Sequence, residues 1–184
     1  EGQMYLFGGW DGENVLDIVL RYDPVEDRWE SMSPMPTARA YAGAASAGGK
    51  IYVIGGWDGE DAVSENEIFN PNRDFEGEES WISTIPLSTS QFGFSATQVL
   101  GIIYISSGVD ADGNITNLFL FNTTINEWNE ILNPEEYPSF SYSNLCHFGD
   151  SLFLIGGKNG DQIFDGNYQF RVVFNLMIPI TENQ

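Results

Sequence analysis

The sequence predicts an all-β protein built from a repeated four-stranded unit, and three observations carry that prediction. An apolar run ending in a glycine pair, or its remnant, occurs four times, and its last glycine stands at Gly9, Gly56, Gly108 and Gly157. Spacings of 47, 52 and 49 residues are typical of repeat proteins, whose units stack because none buries its own apolar faces. An aromatic landmark follows each pair, and helical spacing of apolar residues is absent from every 11-residue window.

The aromatic landmark keeps a fixed distance from the glycines. It stands thirteen residues after the last glycine of each copy, at Tyr22, Phe69, Phe121 and Phe170. A tryptophan comes seven residues later at Trp29 and Trp128, and twelve later at Trp81, where an acidic insertion lengthens the copy. Met177 takes this place in the fourth copy. The same sequence unit is therefore repeated four times, and the later copies depart further from the common pattern.

Each unit is predicted to hold four short antiparallel strands. The first is small and apolar at 41–47, with counterparts at 92–99 and 141–148, and glycine turns lead into the second strand. The third strand ends at the aromatic landmark, as at 66–69, where Asn70-Pro71 breaks it. The fourth strand carries the tryptophan. Prolines close the units at Pro36, Pro86 and Pro138.

This order of apolar strand, glycine pair, aromatic and tryptophan resembles the kelch repeat of β-propellers, over nearly the whole chain. The resemblance implies about four blades of four antiparallel strands, in repeats of approximately 1–38, 39–89, 90–138 and 139–184. A strand of small residues suits the crowded centre of such a ring. A tryptophan suits the wider outer gap between blades.

Counting strands predicts an incomplete ring. The first copy enters at its second strand, and 172–180 is expected to supply the last strand of the fourth copy, which makes about fifteen strands. Three arrangements follow: a small four-bladed ring, part of a larger ring truncated at its N-terminus, or half of an oligomeric ring. We favour the truncated larger propeller, because an open half-ring exposes apolar blade faces.

The composition narrows the class of partner. The chain has 27 acidic and 7 basic residues and a formal net charge of −20, which disfavours nucleic acid and anionic membrane surfaces. A cationic, neutral or metal-bearing partner fits better. No apolar run reaches the length of a membrane span, and the single cysteine, Cys146, excludes an intramolecular disulfide. An extracellular or cell-surface location is favoured.

The loops after the second and fourth strands leave the same end of antiparallel blades, and we call this end the loop face. Loops on rigid scaffolds commonly carry binding sites. Exposed tryptophans beside carboxylates would suit a sugar ring or a basic peptide. The alternative is that the Asp-Gly sequences only build tight turns. The predicted ligand-binding residues are Trp10, Asp11, Arg39, Trp57, Asp58, Gln91, Asp110, Asp112 and Phe140.

No catalytic residue, metal site or cofactor is predicted. The loop 110–114 spaces three oxygen donors as a calcium loop does, but Ile115 stands where glycine is required and no glutamate follows at the twelfth position. Cys146 and His147 are neighbours on a predicted strand, so their side chains point to opposite faces. They are unsuited to bind one metal or to act as nucleophile and base.

The leading functional hypothesis is a non-enzymatic binding module that takes a protein or carbohydrate partner on the loop face. One alternative is part of a kelch-type carbohydrate-active enzyme, an oxidase or sugar isomerase, whose catalytic residues lie outside this chain. Another is a structural spacer. A homo-oligomer that completes the ring is a further open alternative.

Overall fold

The computed structural model describes residues 2–131, 139–173 and 176–183, and it shows an open arc of antiparallel sheets. This confirms the predicted all-β fold. Blade 1 contains β1 (Met4–Trp10), β2 (Val15–Asp23) and β3 (Arg28–Met32). Blade 2 contains β4 (Gly43–Ala47), β5 (Lys50–Ile54), β6 (Asn66–Phe69) and β7 (Trp81–Thr84). Blade 3 contains β8 (Ala96–Val99), β9 (Ile102–Ile105), β10 (Leu118–Asn122) and β11 (Glu127–Ile131).

Blade 4 carries a small hairpin beside its main sheet. The chain order is β12 (Asn144–Phe148), β13 (Ser151–Ile155), β14 (Lys158–Asn159), β15 (Gln162–Ile163), β16 (Asn167–Val173) and β17 (Leu176–Asn183). Strands β14 and β15 form a two-stranded sheet of their own, and Lys158 of β14 also bridges to Ser141, within a segment expected to be a plain loop. The last strand begins at Leu176, later than expected, because Val172 still belongs to β16 and pairs with Met177.

The inner strands of blades 2 to 4 begin two or more residues later than the sequence predicts. The reason is local backbone geometry. Tyr41, Gly93 and Tyr142 have φ values of 55°, 67° and 54°, in the left-handed region, which interrupts an extended strand. Pro138, expected to close the third unit, lies outside the described residues.

The acidic insertion of blade 2 contains a short helix, α1 (Pro71–Phe75), which no periodic pattern indicated. The Asn70 side chain caps it by accepting from the backbone N–H groups of Asn72 and Arg73. A proline at the first turn is compatible with this start. The insertion contacts blade 1, where the Arg21 guanidinium lies 4.4 Å from the Phe75 ring centroid.

Small residues allow the inner strands to pack closely. A Cβ atom at Gly43 of β4 would lie 2.5 Å from the Phe94 ring and 3.1 Å from the Cβ of Ala96 in β8. Nothing larger than glycine fits there without displacing a neighbour. The predicted crowded centre is therefore present between blades 2 and 3.

Tryptophans join the outer parts of successive blades. The Trp81 indole N–H donates to the Ser33 carbonyl of the preceding blade at 3.1 Å, and that of Trp128 donates to the Ile85 carbonyl at 3.0 Å. Trp29 occupies the same repeat position in blade 1 and is 47% exposed. The side of blade 1 that carries Trp29 corresponds to the side that packs on the preceding blade in blades 2 and 3. It faces solvent here, as expected for an incomplete ring.

Candidate functional site

The two sets of loops meet at one end of the sheets. Isolated antiparallel bridges join the segment before each inner strand to the residue after the glycine pair: Ala40 with Trp57, Phe92 with Val109, and Ser141 with Lys158. These bridges hold the loops of each blade together. In each of blades 2 to 4, the loops before the inner strand and after the second strand are therefore fixed side by side on the loop face.

Four aromatic rings gather on this surface, and we call Tyr41, Trp57, Phe92 and Tyr142 the aromatic cluster. The Tyr41 ring is central, with centroid distances of 6.4 Å to Trp57, 6.3 Å to Phe92 and 6.3 Å to Tyr142. Tyr41 and Tyr142 remain 47% and 46% exposed, while Trp57 and Phe92 are half-buried. Exposed aromatic area on rigid backbone is typical of contact surfaces.

The backbone beneath the cluster is tied across three blades. The Gly93 N–H donates to the Tyr41 carbonyl at 3.0 Å, and the Tyr142 N–H donates to the Gly93 carbonyl at 2.6 Å. Left-handed conformations at tyrosine cost about 1 to 2 kcal/mol each. Strained positions of this kind concentrate at functional sites. These hydrogen bonds fix the backbone positions of the two tyrosines relative to each other.

The cluster already accommodates a cation. The Lys158 ammonium lies 4.7 Å from the Tyr142 ring centroid, a distance suited to a cation–π contact. Partial burial, with a smaller contribution from nearby Tyr41, raises the pKa of the Tyr142 hydroxyl above its ordinary value. Tyr142 is therefore a neutral hydrogen-bonding group at physiological pH.

Acidic loops follow the second strands of blades 1 to 3, and the first aspartate of each loop shapes its turn. The Asp58 carboxylate accepts from the N–H groups of Glu60 and Asp61 at 2.9 and 2.8 Å. Asp11 and Asp110 accept from their own loops in the same way. Hydrogen bonds to the charged form lower the pKa of all three aspartates, and at Asp110 the largest contribution comes from the Asn114 side-chain amide, followed by the Asn114 backbone N–H. The turn-forming role predicted as the alternative is present in each loop.

Three of the sequence-predicted ligand residues lie in the interior. Arg39, Gln91 and Phe140 occupy one repeat position and are 1%, 0% and 6% exposed. The Gln91 side-chain carbonyl accepts a hydrogen bond from the Thr116 hydroxyl. The Phe140 ring packs against the Phe164 ring, with their centroids 4.1 Å apart. Their side chains contact protein rather than solvent. This repeat position therefore anchors the loops from within.

Arg39 is the most constrained of the three. Its guanidinium pairs with the Glu67 carboxylate at 2.7 Å and donates to the carbonyls of Gly55 and Glu65, each at 3.0 Å. Glu67 also accepts from the Thr37 hydroxyl at 2.8 Å. Burial lowers the pKa of Arg39, and the neighbouring carboxylates oppose that shift. The ion pair ties the loop before β4 to β6.

The other predicted residues are accessible in different degrees. Trp10 is 52% exposed, Trp57 is half-buried in the aromatic cluster, and Asp11, Asp58 and Asp112 are exposed at loop tips. Asp110 is half-buried at the base of its turn. Of the predicted set, Trp57 alone belongs to the aromatic cluster.

The predicted ligand set did not include Tyr41, Phe92, Tyr142 or Lys158. The signal that finds the tyrosines is available: Tyr41, Gly93 and Tyr142 each stand fifteen residues before the last glycine of their copies. Assigning these residues to the inner strands concealed them. Lys158 follows its glycine pair directly, in the position of Trp10 and Trp57.

The described residues contain no group of three or more His, Cys, Asp and Glu side chains arranged to hold a metal. His147 lies on β12, where its Nδ1 is 2.8 Å from the Thr97 hydroxyl of blade 3. Cys146 is exposed. Likewise, no helix within the described ranges has the length and apolar character to cross a bilayer.

Repeated antiparallel blades stacked by their faces, with connecting loops gathered at one end, define a β-propeller of repeat type. The KLHDC2/KLHL20/DRC7 Kelch-repeats domain model matches residues 1–157. The chain belongs to the kelch-repeat family.

Several kelch proteins are similar to it. Kelch-like protein 40 of Xenopus laevis is 30% identical over 169 residues, covering 85% of this chain and 25% of that protein. Human Kelch-like protein 23 is 28% identical over 160 residues, covering 84% and 27%. The chain thus spans about a quarter of the length of these curated relatives. The solved structure of YjhT matches with a TM-score of 0.75 at 16% identity, over 96% of this chain and 64% of that one.

Proposed function

We propose that this chain is a protein-interaction module whose loop face binds a partner protein through the aromatic cluster and the acidic loops around it. The observation that carries the proposal is the aromatic cluster itself, where blades 2 to 4 together present two half-exposed tyrosines on tied backbone. Rigid aromatic side chains commonly anchor protein interfaces. Membership of the kelch-repeat family supports an interaction role.

Charge supports a partner surface that is neutral or basic. The loops beside the cluster expose Asp58, Glu60, Asp61 and Asp112, and the chain as a whole carries −20. Complementary charge chiefly speeds association and excludes wrong partners. An acidic partner would meet repulsion at the loop tips. A glycan remains the second ligand class, since the same rings could stack on a sugar.

The test compares three versions of the chain in affinity capture from extracts of the cells that make it, with mass spectrometry of the bound proteins. The double variant Tyr41→Ala/Tyr142→Ala should lose partners by about tenfold or more, because interface anchors are worth over 1 kcal/mol each. Phe148→Ala is the control, being 83% exposed at the opposite end of β12. Melting temperatures establish that all three are folded.

Equal capture by the double variant and the wild type would refute the loop-face assignment. Binding to a glycan panel that depends on Tyr41 and Tyr142, without protein capture, would assign the surface to carbohydrate instead. Light scattering on the wild type addresses the homo-oligomer, which predicts a mass twice the 20.5 kDa of one chain.

A further inference from the structure

The hairpin of β14 and β15 is attached to blade 4 at its base. It forms a two-stranded sheet of its own, with two pairs of residues. At the base, the Lys158 N–H donates to the Ser141 carbonyl at 2.9 Å, and the Phe164 N–H donates to the Gly157 carbonyl at 3.0 Å. Every residue from 158 to 163 is exposed. Because a short isolated hairpin is marginally stable, the tip of this one opens at little cost in free energy.

The tip carries the only Asn-Gly sequence of the chain, Asn159-Gly160. Glycine lets another group approach its backbone closely, because no β-carbon shields the nitrogen. A Cβ atom added at Gly160 would have no neighbour within 4 Å, so the backbone is also unhindered on that side. Among the described residues, none hydrogen-bonds to the Asn159 side chain. The carbonyl carbon of this side chain can therefore turn towards the nitrogen of the next residue.

Two Asp-Gly sequences place similar groups side by side, but hydrogen bonds restrain them. The Asp11 and Asp58 carboxylates each accept two backbone N–H groups of their own loops. Such hydrogen bonds hold the side chain in place and favour its ionised form. An ionised carboxylate reacts poorly with a nucleophile, because its negative charge repels the incoming electron pair. The neutral Asn159 amide has neither form of protection.

We propose that Asn159 and Gly160 form a self-modification site, at which the chain converts asparagine to isoaspartate and gains a carboxylate beside Lys158. The Gly160 nitrogen attacks the side-chain carbonyl carbon of Asn159. The new C–N bond closes a cyclic imide, and the side-chain NH₂ group leaves as ammonia with the proton of the attacking nitrogen. Water then opens the imide at the main-chain carbonyl, so that the chain continues through the former side chain. Opening at the other carbonyl gives ordinary aspartate with the same added charge.

The product changes the loop face in two ways. Isoaspartate adds one carbon to the main chain, which shifts the register of the hairpin. The new carboxylate also stands next to Lys158, whose ammonium lies 4.7 Å from the Tyr142 ring centroid. A competing anion should weaken this cation–π contact. An effect on partner binding rests on the proposed function, whereas the modification itself does not.

The test follows the full 184-residue chain during incubation at physiological pH and temperature. A capped synthetic peptide with the sequence of residues 156–163 provides the unfolded reference. Mass spectrometry with electron-based fragmentation measures conversion and distinguishes isoaspartate from aspartate. Asn159 in the folded chain should convert no more than about tenfold more slowly than in the peptide, because the hairpin opens easily. Asn14, an exposed loop asparagine followed by Val15, is the internal control and should convert far more slowly.

The variant Asn159→Gln keeps the neutral charge and should lose the reaction, since its longer side chain closes a ring less readily. The NMR signals of the Lys158 side chain, which lies over the Tyr142 ring, should change in the converted wild type and stay unchanged in the incubated variant.

Retardation in the folded chain well beyond about tenfold, or conversion of Asn14 as fast as Asn159, would overturn the proposal. Unchanged Lys158 signals after conversion would overturn the effect on the aromatic cluster. Conversion as expected, in a chain that captures no partner, would contradict the proposed function and leave the modification site established.

Discussion

The rings of Tyr41 and Tyr142 meet at a centroid distance of 6.3 Å and an interplanar angle of 82°, although they belong to blades 2 and 4. Gly93 of blade 3 occupies the equivalent position between them. A Cβ atom there would lie 3.0 Å from the Tyr142 ring. The contact between non-adjacent blades therefore depends on a residue without a side chain.

Replacing Gly93 with alanine should separate the two tyrosines. The φ of +67° already disfavours alanine, by about 1 to 2 kcal/mol. The added methyl group also displaces the Tyr142 ring, so the near-UV circular dichroism of the tyrosines should change. Gly113→Ala is the matched control, because Gly113 has a φ of +84° and a Cβ atom there would have no neighbour within 4 Å. Identical near-UV spectra for the two variants would show that the contact between Tyr41 and Tyr142 does not depend on the absence of a side chain at Gly93.

The buried ion pair between Arg39 and Glu67 should contribute strongly to the integrity of blade 2. We expect Arg39→Met to lower the free energy of unfolding by about 3 to 5 kcal/mol, because it leaves a buried carboxylate uncompensated. Urea denaturation measures the change. The double variant Arg39→Met/Glu67→Leu should recover much of the loss, since it removes both charges.

The exposed pair of Arg73 and Glu78, 3.1 Å apart, provides the comparison. Arg73→Met should cost less than about 1 kcal/mol, because solvent screens the pair. If Arg39→Met lowers the free energy of unfolding by no more than Arg73→Met does, burial does not set the strength of the ion pair between Arg39 and Glu67.

Tyr104 should make the fold sensitive to alkali. It is 1% exposed, and burial raises its pKa to about 12 from 10.0. The unfolded chain releases this proton first, so the stabilising contribution is complete below pH 10 and is lost as pH rises towards 12. The free energy of unfolding should fall by about 2 kcal/mol over that interval. Urea denaturation at successive pH values measures it.

The variant Tyr104→Phe should lack this part of the alkaline decline. Tyr41→Phe removes a hydroxyl from an exposed ring and should retain it. The same alkaline slope in wild type and Tyr104→Phe would assign the decline to other groups.

The repeat could be predicted because its signals are local. Glycine pairs and aromatic landmarks recur at fixed offsets, and every expected second strand is present. The ends of the strands were harder to predict, because the left-handed backbone at Tyr41 and Tyr142 has no signature in side-chain polarity. Helix α1 was missed because one capped turn is too short to show a period.

In the candidate site, too, the sequence predicted the features with local signals and missed those that depend on the folded structure. Repeat offsets correctly align Arg39, Gln91 and Phe140 as one position, but an offset does not report depth, and all three are buried. Its place in a loop of the predicted loop face favoured Arg39 as an exposed ligand residue. Its partner Glu67 stands 28 residues away in sequence, on strand β6. Only the folded blade brings the two together.

Local sequence was enough to specify the unit of this protein: four kelch-type copies and an acidic composition. These properties follow from short sequence patterns and from residue counts alone. Which residues face solvent was set by the stacking of the blades. That stacking placed Tyr41 and Tyr142 in contact across Gly93 and buried Arg39. Each of these depends on how separate blades meet rather than on the order of residues within one.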